Sequence, residues 1–497
     1  FDFKISNNEI AQLPAGPMGL LVGAEFRSEE VTDDRDPRLD GTITYTDYDV
    51  KSEAGLCNVA GGGDTYPCVS DVLNSSPTGD VFGEHDVTSF FAELQIPIAE
   101  RVDAQLAVRH ENSTDVDSAT VGKFAFGWQA ADWLLFRGSA STAFRPPNLI
   151  QINEKIVVRS GTRNDYSFYQ LVNDNSAKYL ADGGDPTKNP YTHNKSGDWD
   201  DRYTMQRQAT GAKNLESEES TNSSIGFVLT PVDNLIITAD FWSIEKENTI
   251  GLFGRGNHTV KDMVLRWKNG LNNCDTFVGN PQVVREAPDT DITDLFATTG
   301  VCPFGDITYV ADEYMNLATR TIEGHDIGIY YDVDTDFGDF GVRYIGSFID
   351  KFEQTPAAEF AELAEQQAAG LIPQDIELSG FGDLLGMDGN YDNKHRLRVS
   401  WSRDSWGAAL TALRKGSFYQ NSLTLSDGTR FVIPSMTTMD LTVDYRFDIR
   451  GNTTRVRLAV KNLQDERAPL ADRYYGYYAD AHSDLGRNFY LDLRVSF

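Results

Sequence analysis

The last ten residues, NFYLDLRVSF, alternate without interruption: Phe489, Leu491, Leu493, Val495 and Phe497 share one face, and Asn488, Tyr490, Asp492, Arg494 and Ser496 the other. Met439, Leu441, Val443, Tyr445 and Phe447 oppose Asp440, Thr442, Asp444, Arg446 and Asp448 in the same way. Val456, Leu458 and Val460 oppose Arg455, Arg457 and Lys461. A period of two over this length predicts half-buried strands and not helices. Applied along the chain, the pattern predicts about fourteen strands, near 18–27, 86–97, 101–111, 120–129, 133–144, 221–230, 235–245, 320–334, 340–350, 395–403, 406–415, 436–448, 453–462 and 487–497, with residues 1–13 holding part of one more.

A soluble sandwich alternates too, so three further features decide the architecture. The strands run about 9–11 residues, the length that crosses a bilayer at a tilt. Short turns near Pro97–Arg101, Gln129–Asp132, Pro231–Asn234, Thr335–Asp339, Arg403–Ser405 and Arg450–Asn452 alternate with much longer polar loops at 28–85, 145–220, 246–319, 351–394, 416–435 and 463–486. That segregation belongs to outer-membrane barrels. Aromatics flank the short turns: Trp128 with Trp133, Trp401 with Trp406, Phe337 with Phe340, and Tyr445 with Phe447. An interfacial girdle sits there, whereas ordinary core aromatics scatter along strands. The expected fold is all-β, a transmembrane antiparallel barrel with long external loops and short periplasmic turns. Pro356–Gly370, whose apolar positions are mostly alanine, is expected as a small helix in an external loop.

Composition sharpens this in a few places. No run of about 18 apolar residues occurs, which excludes membrane helices but says nothing of membrane strands. A net charge of −31 argues against nucleic acid as a partner. The four cysteines form two local pairs, Cys57 with Cys68 and Cys274 with Cys302, in polar loop sequence without zinc-type spacing, so two loop disulfides in an oxidising compartment are expected. No phosphate-binding loop, zinc-hydrolase or nucleophile-elbow motif is present, and the seven histidines are dispersed. Neither an enzyme nor a cofactor is expected. Asp33, Asp34, Asp36 and Asp40 lack calcium-loop spacing and are expected to be a solvated acidic loop.

Several segments, in order, carry a family resemblance: LPAGPMGLLVGAEFRSEE (13–30), WLLFRGSASTAFRPPNLIQI (133–152), NLESEESTNSSIGFVLTP (214–231), FWSIEKENTI (241–250), RTIEGHDIGIYYD (320–332), and VKNLQDERAPL followed by YYGYY and LGRNFYLDLRVSF (460–497). The chain resembles the TonB-dependent receptors of Gram-negative outer membranes across nearly its whole length. That resemblance implies a barrel of about 22 strands, an N-terminal plug, and a short periplasmic segment that pairs with TonB. Neither plug nor pairing segment is recognisable, so residues 1–497 are expected to be the C-terminal part of such a barrel. The implied partners are the TonB–ExbB–ExbD complex through that missing segment, outer-membrane lipid and lipopolysaccharide, a small or oligomeric nutrient, and a surface lipoprotein in some branches.

Within the resemblance, Phe144, Arg145, Pro146 and Pro147 match the family's Arg-Pro-Pro stretch. They are expected to fix the strand's exit into its loop, since proline restricts its own and the preceding backbone. Phe497 matches the terminal aromatic read by the barrel-assembly machinery. Loop aromatics are the ligand-contact candidates: Trp199, Tyr203, Phe418, Tyr419, Tyr474, Tyr475, Tyr477 and Tyr478. The competing reading is that they pack loop cores. His193 occupies the interval where haem receptors of the family carry a histidine, but the following AKNLESEE departs from their pattern, so haem is not the expected cargo. The leading expectation is energised import of a scarce nutrient, leaning to carbohydrate or oligomer, with ferric siderophore and cobalamin open. A passive porin and a loop-displaying adhesin are the alternatives.

Overall fold

The structure is a computed structural model that describes residues 1–39, 56–57, 66–67, 78–193, 201–271, 274, 279–288, 292–356, 358–374, 376, 378, 380–473 and 475–496. A sixteen-stranded sheet dominates it. Fifteen strands follow one another in chain order: β1 (Asp2–Leu13), β2 (Gly16–Asp33), β3 (Val81–Ala99), β4 (Val102–Ser113), β5 (Ala119–Ala131), β6 (Leu134–Arg145), β7 (Glu218–Val232) and β8 (Leu235–Glu247) lead into β9 (Thr319–Thr335), β10 (Gly338–Thr355), β11 (Asn393–Arg403), β12 (Trp406–Lys415), β13 (Met436–Ile449), β14 (Asn452–Lys461) and β15 (Asn488–Ser496). Gly382–Asp383 adds a short rung to β10.

At one end of the sheet every connection has two residues: 14–15, 100–101, 132–133, 233–234, 336–337, 404–405 and 450–451. Arg450 and Gly451 both adopt left-handed backbone, φ 52° and 83°, as a primed two-residue hairpin turn demands. Long loops occupy the other end, except for the five residues 114–118.

Register aligns the apolar faces into one band. Phe340 lies opposite Trp401, Trp401 opposite Ala408, Ala408 opposite Val443, Val443 opposite Leu458, and Leu458 opposite Leu491. This face stays open: Phe489, Leu491 and Leu493 are 69%, 76% and 66% exposed. Water would penalise such a belt heavily, whereas lipid does not. The four buried hydrophobic clusters lie instead in loop segments. Apolar residues outward on the sheet and inward in the loops is the distribution of a membrane barrel carrying a folded, wet exterior. The short-turn girdle stands as expected, with Trp128 stacked on Phe136 at 5.6 Å and Trp406 tilted on Tyr445 at 4.6 Å.

The opposite face of the sheet is polar. Arg137 on β6 reaches across Gly226 on β7 to make a two-pronged pair with Asp240 on β8, at 2.8 and 2.5 Å. A Cβ on Gly226 would stand 2.2 Å from the Asp240 carboxylate, so glycine there leaves the pair its room. Between β13 and β14 the acidic and basic blocks do less than their sequence suggests. Asp444 takes Arg455 at 2.8 and 3.1 Å, while Asp440 caps the Asn462 N–H, Asp448 accepts from Thr453, and Lys461 lies over the Tyr490 ring. Exposed pairs of this kind contribute about 0.2–1 kcal/mol each.

Three sequence expectations change. Residues 1–13 hold a twelve-residue strand, Asp2–Leu13, and not a fragment of one. β2 and β3 are longer than expected and stay paired up to Asp33 opposite Val81, because their upper halves mix polar and apolar residues on both faces (in β3, Val81 and Val87 with Gly83 and His85 on one, Phe82 with Glu84 and Asp86 on the other) and give no apolar alternation to read. The long loops are not featureless. Those between β6 and β7 and between β8 and β9 share a five-stranded sheet in which Arg202–Thr210 runs parallel to Ile307–Asn316. The helix Arg255–Asn269 packs on that sheet and on the helix Tyr166–Ala181. The expected loop helix forms at Ala358–Ala368, where Phe360 and Leu363 join Val260 and Met263 in one core.

Candidate functional site

The loop body is held by buried charge. Arg285 donates to both oxygens of Asp165 at 2.6 and 2.8 Å and to Asp262 at 3.0 Å. Arg266 donates to Asp262 at 2.8 Å, and both guanidiniums lie 4.7 Å from the Phe304 ring. Burial opposes charge on Asp262, but Arg285 and Arg266 outweigh it and hold the carboxyl below its usual range. Asp165 belongs to the β6–β7 loop and the other three to the β8–β9 loop, so this cluster locks the two loops together. The disulfide Cys274–Cys302 ties the β8–β9 loop to itself across 28 residues.

Beside this body, a cavity of about 720 Å³ opens between the loops that leave β8, β10, β12 and β14. Its lining includes Arg320, Arg430 and Arg473, the Tyr419 and Phe381 rings, and Met387. Arg430 lies over the Tyr419 ring at 4.2 Å. Arg320 is anchored on Gln354 at 3.0 and 2.6 Å. Arg473 bonds the Tyr478 hydroxyl at 2.9 Å and approaches Asp388 at 3.4 Å. Asp388 offsets Arg473, and the other acid of the lining, Asp383, leaves the three guanidiniums one positive charge in excess. In a chain of net charge −31, this cavity is locally basic, aromatic-walled and large enough for a drug-sized ligand.

The sequence-predicted aromatics separate into two groups. Tyr419 lines the cavity. Tyr475, 68% exposed, and Tyr477 lie on an outer loop with ring centroids 6.2 Å apart. Phe418 and Tyr478 belong to the core formed by Ile433 and Ala481. The Tyr478 hydroxyl donates to Asp388, and burial with that carboxylate raises it to about 12. Tyr203 donates to Asp165 at 2.8 Å, accepts the Ile307 N–H at 2.6 Å, and is raised well above the phenol range by burial and then Asp165. These three are placed as packing residues. Trp199, Tyr474, Phe497, Asp40 and the Cys57–Cys68 pairing lie outside the described residues.

Other sequence features take structural roles. Arg145 pairs with buried Glu218, which also takes Lys246 at 2.7 Å and the Ile250 N–H at 2.9 Å. After the two prolines, Asn148 caps the helix Leu149–Asn153. The stretch thus turns the chain off its strand. Both His193 ring nitrogens are engaged, by Asp201 at 2.6 Å and Asn173 at 3.0 Å, and the ring stacks on Tyr169 at 3.9 Å. Neither nitrogen of this ring is left to ligate iron. Asp33 pairs with Arg35, and Asp36 with Arg38. Sequence reading missed the three arginines of the cavity, because they come from segments more than 40 residues apart and no local motif links them.

An antiparallel sheet with a lipid-type outer belt, two-residue turns at one end and a folded loop body around a basic cavity at the other defines an outer-membrane β-barrel of the receptor kind. The chain belongs to the TonB-dependent receptor family: the family's β-barrel description, "TonB dependent receptor-like, beta-barrel", matches residues 19–463. That family comprises Gram-negative outer-membrane transporters and not enzymes. Among solved structures, the siderophore receptor PirA from Acinetobacter baumannii shares 14% identity at a TM-score of 0.55. A mutant of the ferric enterobactin receptor PfeA from Pseudomonas aeruginosa shares 12% at 0.56, and the outer-membrane transporter YddB from Escherichia coli 10% at 0.53. Each covers the whole of this chain, which spans about half of each relative: 54%, 53% and 53%. At these identities the likeness is one of fold. No curated protein matches the chain at the sequence level.

One loop contact carries a pH prediction. Asp484 accepts from Arg467 Nε and from the Ala468 N–H at 2.8 and 2.9 Å, and these bonds hold its carboxyl at about 2. A carboxyl depressed on folding adds stability above its unfolded value, and that stability is lost as pH falls toward the folded value. The β14–β15 loop is therefore expected to gain hydrogen exchange between about pH 4 and 2. Asp484→Asn should show that faster exchange already at pH 7; native-like exchange in the variant would refute the assignment.

Proposed function

We propose that the chain is the C-terminal barrel portion of a receptor that imports a scarce nutrient by TonB-coupled energy. Among the described residues β1 and β15 are the two ends of the sheet. Lipid cannot satisfy an open edge, and about seven further strands ahead of β1 would complete a barrel of about 22. A plug in its lumen would face the polar wall that carries Arg137, Asp240, Asp444 and Arg455, and a segment of that plug would reach the TonB–ExbB–ExbD complex.

The observation that carries the ligand reading is the basic, aromatic-walled cavity. It favours an anionic, ring-bearing ligand such as a ferric siderophore over the neutral oligosaccharide toward which the loop aromatics leaned, since three of those aromatics are packed away. Two of the solved structures similar in fold, PirA and PfeA, are receptors for siderophores, in agreement with this reading. Arg430→Ala is expected to weaken binding of such a ligand about 10- to 100-fold, the loss of one charge-assisted hydrogen bond of about 1.5–3 kcal/mol. Equilibrium binding of a ferric-siderophore panel and a neutral maltodextrin panel to the purified receptor tests it. Tight maltodextrin binding that survives Arg430→Ala would overturn the anionic reading and leave the import reading standing.

A further inference from the structure

Four arginines crowd one face of the loop sheet. Arg159 lies directly opposite Arg207 in register, and Arg163 shares that face by alternation. Arg255, the first residue of the helix Arg255–Asn269, descends onto Gly161 between Arg159 and Arg163. A Cβ at Gly161 would stand 3.2 Å from Arg255 Nη2 and 3.8 Å from Arg163 Nη1. Burial together with Arg163 and Arg207 pushes Arg255 down to about 10. Arg255 thus feels the charges of Arg163 and Arg207.

Little answers them. Arg159 and Arg163 donate to the neighbouring carbonyls of Val158 and Thr162 at 3.1 and 2.7 Å, and Arg255 donates to Met205 O at 2.6 Å. Arg207 comes no closer than 4.0 Å to Asp312 Oδ2, which has no hydrogen-bond partner among the described residues, while Oδ1 takes His258 Nε2 and the Gly254 N–H, each at 3.3 Å. Glu154 feels Arg159 and Arg207, but burial outweighs them and raises its carboxyl toward the neutral form. The Nε atoms of Arg207 and Arg255 are buried without a hydrogen-bond partner among the described residues. A solvated basic face would leave such groups to water, and a structural ion cluster would pair them, as Arg285 and Arg266 are paired.

We propose that Arg159, Arg163, Arg207 and Arg255 form a binding site for a ligand carrying two or more phosphate groups. Guanidinium forks match phosphate oxygens in pairs. Two phosphates supply roughly the charge that four arginines lack. The site is separate from the vestibule cavity and does not depend on the import reading. Its ligand is either a soluble phosphorylated solute or the phosphorylated headgroup of an outer-leaflet glycolipid.

The test is titration of inorganic pyrophosphate and tripolyphosphate into the full-length receptor, purified free of lipopolysaccharide in neutral detergent. Saturable binding is expected, weakened at least tenfold in Arg163→Gln and Arg255→Gln. Without ligand both variants should melt at or above the native temperature, because each relieves repulsion, and pyrophosphate should raise the melting temperature of the native protein alone. Selective retention of lipopolysaccharide over its phosphatase-treated form would assign the site to lipid; pyrophosphate binding with no such selectivity would assign it to a solute. Failure of the native protein to bind either phosphate, or equal binding by both variants, overturns the site.

Discussion

Arg285→Ala is expected to unlock the external loop body while leaving the barrel standing. The guanidinium is 5% exposed and bridges Asp165 and Asp262, whose side chains are fully buried. Removing it leaves Asp165, among the described residues, with the Tyr203 hydroxyl and the Ser167 N–H, and Asp262 with Arg266, the Ser167 hydroxyl and the Asn280 N–H. Breaking one partner out of a buried ion pair costs about 3–5 kcal/mol, and this one guanidinium serves two. The loss falls on the seam between the β6–β7 and β8–β9 loops, far from the strand ladder. Proteinase cleavage on intact cells should therefore appear within 146–217 and 248–318, while the shift of the heated barrel on a gel is unchanged. Arg285→Lys, which keeps the charge but not the fork, should fall between. A variant as protease-resistant as the native receptor would show that the loops are held by something other than this cluster.

The second large effect lies on the sheet and separates its two faces at adjacent positions. Leu410 stands mid-strand on β12, opposite Val399 and Leu441 on the apolar side. Thr411 stands on the polar side, opposite Arg398 and Asp440. Leu410→Arg is expected to destabilise the barrel by about 2–4 kcal/mol, the cost of arginine facing lipid near the midplane. Thr411→Arg, placed beside Asp440, should change stability by less than about 1 kcal/mol. Urea unfolding of the protein reconstituted in vesicles reads both. Equal costs, or the reverse order, would mean that the lipid and lumen faces are misassigned.

These two predictions also mark where the sequence was legible. The face of Leu410 was readable because a lipid-facing strand must put apolar residues at every second position, and β11 to β15 do so through their middles. The aromatic pairs at the short turns were readable for a related reason: an interface fixes their height. The upper halves of β2 and β3 were not, since above the membrane both faces meet water or loop and the alternation vanishes. The loop sheet was hidden further, because Arg202–Thr210 pairs in parallel with a segment about a hundred residues away and no hairpin signal announces it. At the site, Tyr419 was visible as a loop aromatic. Its role depended on Arg430, Arg320 and Arg473, which only folding brings near it. Tyr203, Phe418 and Tyr478 were equally visible as aromatics, but composition cannot tell a ring that meets ligand from one that builds the loop core.

The central claim is that this chain is the barrel portion of an energised receptor. Intact mass measurement with N-terminal peptide sequencing of the protein purified from outer membranes tests it most directly. A mass well above 55.3 kDa, with plug and TonB-pairing sequence ahead of Phe1, is the predicted result. A mature chain that begins at Phe1, with no plug polypeptide purifying beside it, would contradict the account and leave a passive channel or a loop-displaying barrel.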